Sequence, residues 1–72
     1  MSATEDVEYQ LSRVNRNEGE TDGALARRLY YLQMEVYSAN VGRDLVTDSS
    51  SDPLRFENLK SETQSEWIDR AK

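Results

Sequence analysis

One stretch, "GALARRLYYLQMEVYSAN" from Gly23 to Asn40, constrains what this chain can fold into more than any other. Leu25, Leu29, Leu32 and Val36 fall at helical spacing along one stripe, and Ala26, Tyr30, Met34 and Tyr37 form a second stripe beside it. Two adjacent stripes make an apolar face wide enough to touch two neighbours at once, so the segment reads as a central helix around which others pack. Thr21 or Asp22 supplies a cap at its start and Gly42 a stop at its end. The predicted helix therefore runs from about Thr21 to Asn40, with its Tyr and Met residues read as core.

Two shorter helical patterns flank it. Between Ser2 and Val14 the apolar residues Val7, Leu11 and Val14 share one face, with Ser2 and Glu5, or Thr4 alone, as the cap and with Glu5, Asp6 and Glu8 suited to the helix N-terminus. This narrow stripe predicts the least stable of the helices, with residues 1–20 loosely attached. "NRNEGE", Asn15 to Glu20, is a polar break that buries nothing. At the other end Ser61 and Gln64 have capping-box spacing, and Trp67, Ile68 and Ala71 mark the inward side of a last helix. Phe56 and Leu59 stand upstream to close over its start, so Trp67, the only Trp of the chain, reads as a core plug. Burying such a ring contributes about 2–3 kcal/mol.

The connection "RDLVTDSSSD", Arg43 to Asp52, reads as a loop in which Leu45 and Val46 either tuck against the core or pair briefly as extended chain. Asp52-Pro53 then opens a short helical turn across Leu54 to Asn58, with Asp52 as cap and Pro53 where a missing N–H costs nothing. The expected fold is all-α: a single small domain of three helices over residues 1–72, with a long central helix and a short helical turn before the last one. A chain of 72 residues with 36% hydrophobic content allows no more than that, since a domain of ~60 residues buries only about 60% of its unfolded surface.

The same inventory excludes most chemistry. With neither Cys nor His, disulfides, zinc sites and the usual nucleophiles and acid–base pairs are unavailable. Paired carboxylates need a cleft that so small a core scarcely builds, so the chain reads as no enzyme, without cofactor or metal. Asp48, Ser50 and Asp52 imitate the first ligands of a helix–loop–helix calcium site. Pro53 stands where Gly is needed and Leu59 where the bidentate Glu is needed, so the site fails. The Ser cluster 49–51 reads as a solvated loop, with modification by a kinase as the functional alternative. Arg27 and Arg28 are expected to pair with acidic residues of neighbouring segments.

Nine basic against fourteen acidic residues leave a net charge of −5, which disfavours direct binding to nucleic acid. No apolar run reaches the ~18 residues of a membrane span, so the chain reads as soluble and cytosolic, with no membrane contact. Glu62, Glu66 and Asp69 share the outward side of the last helix, joined by Glu57, Asp52 and Asp48 from the loop before it. Such a surface suits a partner protein with a basic patch. The candidate contacts are Glu57, Glu62, Glu66 and Asp69 for charge, with Tyr31 and Tyr37 as aromatic anchors if the central helix leaves them at the rim.

Ala26, Leu29 and Tyr30 on a central helix, followed by Phe56-x-x-Leu59 and Trp67-x-x-x-Ala71, resemble a pattern in small acidic accessory proteins of tailed bacteriophages, including those with a ryanodine-receptor-repeat-like domain. The resemblance spans roughly Ala24 to Lys72, with Phe56 where Trp is usual. It implies a non-enzymatic protein acting on a host component in the bacterial cytoplasm, as an inhibitor that occupies a binding surface. The last segment is also similar to the end of a high-mobility-group box, whose basic minor-groove binding does not suit a chain of this charge. Two other readings compete with the inhibitor: a self-assembling homodimer or larger particle driven by the wide central face, and a DNA mimic whose carboxylates stand in for phosphates.

Overall fold

A computed structural model of the protein describes residues 3–72, with side chains from Glu5 onward. The elements in order are α1 (Ala3–Ser12), α2 (Asp22–Val41), a 3₁₀ turn (Phe56–Asn58) and α3 (Ser61–Ala71), with no strand among the described residues. The chain is thus a small all-α domain with a long central helix and a short 3₁₀ turn before the last one. No helix among the described residues is long and apolar enough to cross a membrane.

The central helix starts and stops where its cap residues dictate. Thr21 sits in extended backbone and its Oγ1 accepts a hydrogen bond from the Ala24 N–H at 3.1 Å. Gly42 ends α2 in the left-handed region at φ 76°, where its own N–H and that of Arg43 both donate to the Ser38 carbonyl. A side chain at that φ clashes with its own backbone, which is why glycine occupies the position.

Both flanking helices pack on α2. The core joins Val7 and Leu11 of α1, Leu25, Ala26, Leu29 and Tyr30 of α2, Phe56 of the turn, and Trp67 and Ala71 of α3. Tyr30 is its centre. The ring lies edge-on to Trp67 at 5.6 Å between centroids and tilted against Phe56 at 5.8 Å, geometries that aromatic quadrupoles favour. Trp67 is buried as expected, and the Arg70 guanidinium lies over its ring at 5.4 Å from the centroid.

Some local expectations are corrected. Ser2 and the Thr4 side chain lie outside the described residues, so the cap of α1 is not among them. At its far end α1 stops at Ser12, and Arg13 and Val14 continue in turn geometry with bonds to the carbonyls of Gln10 and Leu11. Ser61 does not cap α3. The cap position falls on Lys60, which offers no side-chain bond, while the Gln64 amide donates to the Leu59 carbonyl at 2.9 Å. The 3₁₀ turn that buries Phe56 delivers the chain to the helix one residue early, and Gln64 closes that turn instead of a capping box.

Between α2 and the 3₁₀ turn, Leu45 and Val46 are half-buried without strand pairing, and the Leu45 N–H donates to Ser38 Oγ at 3.0 Å. Asp52 organises the rest of the loop: its carboxylate accepts from the N–H and hydroxyl of Thr47 and from the Leu54 N–H. The Arg55 N–H donates to the Asp52 carbonyl across Pro53, a hydrogen-bonded turn in place of helix at Leu54, and the helical part begins at Phe56.

Candidate functional site

The carboxylates divide into those that the fold consumes and those it leaves to solvent. Glu57 belongs to the first group. It bonds Arg55 Nε at 2.8 Å and pairs with Arg27 at 3.2 Å, and the Tyr31 hydroxyl stands 3.4 Å from its Oε2. Its own backbone N–H, then the Arg55 guanidinium, lower its pKa to about 2. Glu20 is held in the same way. Arg28 contacts both of its oxygens, at 3.0 and 2.7 Å, and with the Asn17 N–H brings its pKa to about 2. The expected pairing of Arg27 and Arg28 with acidic neighbours is thus met by Glu57 and Glu20. Asp52, its pKa lowered by the Leu54 and Thr47 backbone N–H groups, works inside the loop.

The outward side of α3 differs. Glu62 and Glu66 are exposed, and their side chains make no hydrogen bond or ion pair with any described residue. Asp69 is exposed and pairs only with Lys72, one helical turn on, at 3.3 Å. Helical spacing of three and four residues places the three carboxylates on one side, away from the buried Trp67 and Ala71. Of the four acidic residues predicted for partner contact, the structure therefore presents Glu62, Glu66 and Asp69 together and ties Glu57 to two arginines.

Both predicted aromatic anchors are half-buried. Tyr31 is half-buried and its hydroxyl accepts the Phe56 N–H at 2.9 Å, while Arg27 lies over its ring at 5.3 Å from the centroid. Together with Tyr30, whose hydroxyl donates to the Leu54 carbonyl at 2.5 Å, it pins the segment before α3 to the central helix. Tyr37 is half-buried against the core. The most exposed aromatic is Tyr9 on α1, at 58%, flanked by Arg13.

Two contacts had no legible signal in the sequence. Arg16, in the polar break, donates to the Glu20 carbonyl, to Asp22 at 2.6 Å and to the Ala71 carbonyl at 2.7 Å. It thereby joins the start of α2 to the end of α3, where a cation suits the negative pole of the helix. Glu8 of α1 pairs with Arg70 of α3 at 2.5 Å, and that guanidinium lowers the Glu8 pKa. An isolated Glu or Arg on a helix carries no mark of a partner more than fifty residues away.

Below the Glu8–Arg70 pair lies a cleft of about 310 Å³ lined by Leu11, Val14, Leu25, Leu29 and Ala71, with Ser12 at its edge. Comparison with known proteins finds no matching family model, no matching curated protein and no matching solved structure.

Proposed function

We propose that this protein is a small acidic, non-enzymatic binding module that occupies a basic surface on another protein through the outward side of α3. The observation that carries the reading is the separation of the carboxylates: Glu20, Glu57 and Asp52 serve the fold, whereas Glu62, Glu66 and Asp69 face solvent as a group. Fixed on one rigid helix and anchored from behind by Trp67, these charges meet a basic patch without reorganising, and such complementarity speeds encounter and fixes orientation. The resemblance to phage accessory proteins supports a host protein of the bacterial cytoplasm as the target and inhibition by blockade as the outcome. Affinity capture from bacterial lysate, at low and high salt and with nuclease added, tests this. A retained protein that survives nuclease and is lost at high salt supports the reading, and retention only through nucleic acid refutes it.

A second reading, self-assembly, draws on a specific feature of α2. Its buried residues all lie between Leu25 and Tyr30, and beyond them Leu32, Met34, Val36 and Tyr37 are only half-buried, with Val41 57% exposed. A tight dimer in sedimentation velocity supports that alternative.

A further inference from the structure

The central helix outruns its supports. It has 20 residues against 10 in α1 and 11 in α3, a length of about 30 Å against about 15–17 Å, and its buried residues stop at Tyr30. Along the far half lies a groove of about 480 Å³ with the half-buried Met34 and Val46 in its walls. Its charged lining residues are Glu35, Arg43 and Asp44, all exposed. The side chains of Glu35 and Arg43 make no hydrogen bond or ion pair with any described residue. Midway between them in sequence Ala39, also exposed, lines the same groove, and so small a side chain lets another helix approach closely.

A free anion and a free cation placed evenly about an exposed alanine are matched by the same array running in the opposite direction. A second copy supplies that array by symmetry, since a two-fold contact sets residue i against j and j against i. A uniformly basic or uniformly acidic partner leaves one of the two charges facing its own sign. We propose that the protein forms a two-fold dimer in which the far halves of two α2 helices lie antiparallel, with Ala39 at the axis and Glu35 of each copy against Arg43 of the other. This rests on the self-assembly reading above and adds to it the surface, the direction and the register. Asp44 leaves one negative charge over in each groove, which salt screens, so the dimer is expected in the micromolar range. Glu62, Glu66 and Asp69 do not line the groove.

Sedimentation velocity across the micromolar range reads the dimer, and far-ultraviolet circular dichroism checks that each variant keeps the wild-type helical signal. Glu35→Arg and Arg43→Glu each set like charges together twice, once in each half of the contact, and each is expected to weaken the dimer by at least about tenfold. The double variant Glu35→Arg/Arg43→Glu restores opposite pairing and is expected to return the affinity to within about threefold of the wild type. Ala39→Lys holds the helices apart from an exposed position and is expected to abolish the dimer. A wild-type monomer throughout that range overturns the proposal together with the self-assembly reading. A dimer that both single reversals leave unchanged overturns the proposal and assigns self-assembly to another surface. Single reversals whose loss the double variant does not recover overturn the pairing, and the proposal with it.

Discussion

Tyr31 offers the sharpest separation of a structural role from a binding role, because removing a single oxygen tests it. The hydroxyl accepts the Phe56 N–H at 2.9 Å and stands 3.4 Å from Glu57 Oε2, and the first bond dominates because the second is long. In Tyr31→Phe the ring, its packing and the Arg27 contact stay, and the Phe56 N–H loses its partner at a place where the ring of Phe56 is buried. A donor left unpaired away from water costs about 1–3 kcal/mol, and partial access to solvent brings the expected loss to about 1–2 kcal/mol. For a domain of this size that is a fall of roughly 4–16 °C in melting temperature. Tyr30→Phe gives the comparison. It frees the carbonyl of the exposed Leu54, which water can satisfy, so its loss is expected to be the smaller, about 0.5–1.5 kcal/mol. Thermal and urea denaturation followed by circular dichroism measure both variants. A Tyr31→Phe protein that melts with the wild type, or that loses a partner while keeping its stability, refutes the reasoning and returns Tyr31 to the interface.

Three further outcomes are expected. Trp67→Ala removes the ring that packs on Tyr30, at a cost of about 3–5 kcal/mol against a total of roughly 4–11 kcal/mol for a chain this long, so a large loss of helical signal at 37 °C is predicted and an unchanged melt contradicts the core assignment. Gly42→Ala forces a side chain into φ 76° with no atom within 4 Å to clash with, so the loss is backbone strain alone, about 1 kcal/mol, seen as a lower urea midpoint with the slope unchanged. Acid exposes the two clamped carboxylates: Glu20 and Glu57 have folded pKa values near 2, below the ordinary carboxylate value of 4.5, so their contribution is complete above that value and disappears as pH falls toward 2. Melting temperature is expected to drop over that window in the wild type and to drop less in Glu20→Gln/Glu57→Gln. Identical acid sensitivity of the two proteins refutes the clamps.

The parts legible in the sequence were those with local causes. Thr21 and Gly42 mark the limits of α2 because capping and left-handed backbone are decided within a few residues, and the burial of Trp67 follows from its spacing to Ala71. The failed cap at Ser61 shows the limit of local rules: its spacing to Gln64 was right, but the turn needed to bury Phe56 set the helix entry at Lys60. Glu57 is exposed, but its carboxylate is held by Arg55 two residues before it and by Arg27 on α2, and of these only the first is near in sequence; the Phe56 N–H that Tyr31 accepts likewise lies on a distant segment. The outward grouping of Glu62, Glu66 and Asp69 is readable from helical period alone, since no long-range contact claims their side chains and Asp69 pairs only with Lys72, one turn on.

We propose that Glu62, Glu66 and Asp69 form the surface by which the protein holds its partner. The measurement closest to it is the affinity of Glu62→Lys/Glu66→Lys/Asp69→Lys for the protein captured by the wild type, with the melting curves of the two forms compared alongside. A loss of at least about tenfold in affinity, with a melt close to that of the wild type, is the predicted result. Equal affinity of the folded triple variant would remove these carboxylates from the interface.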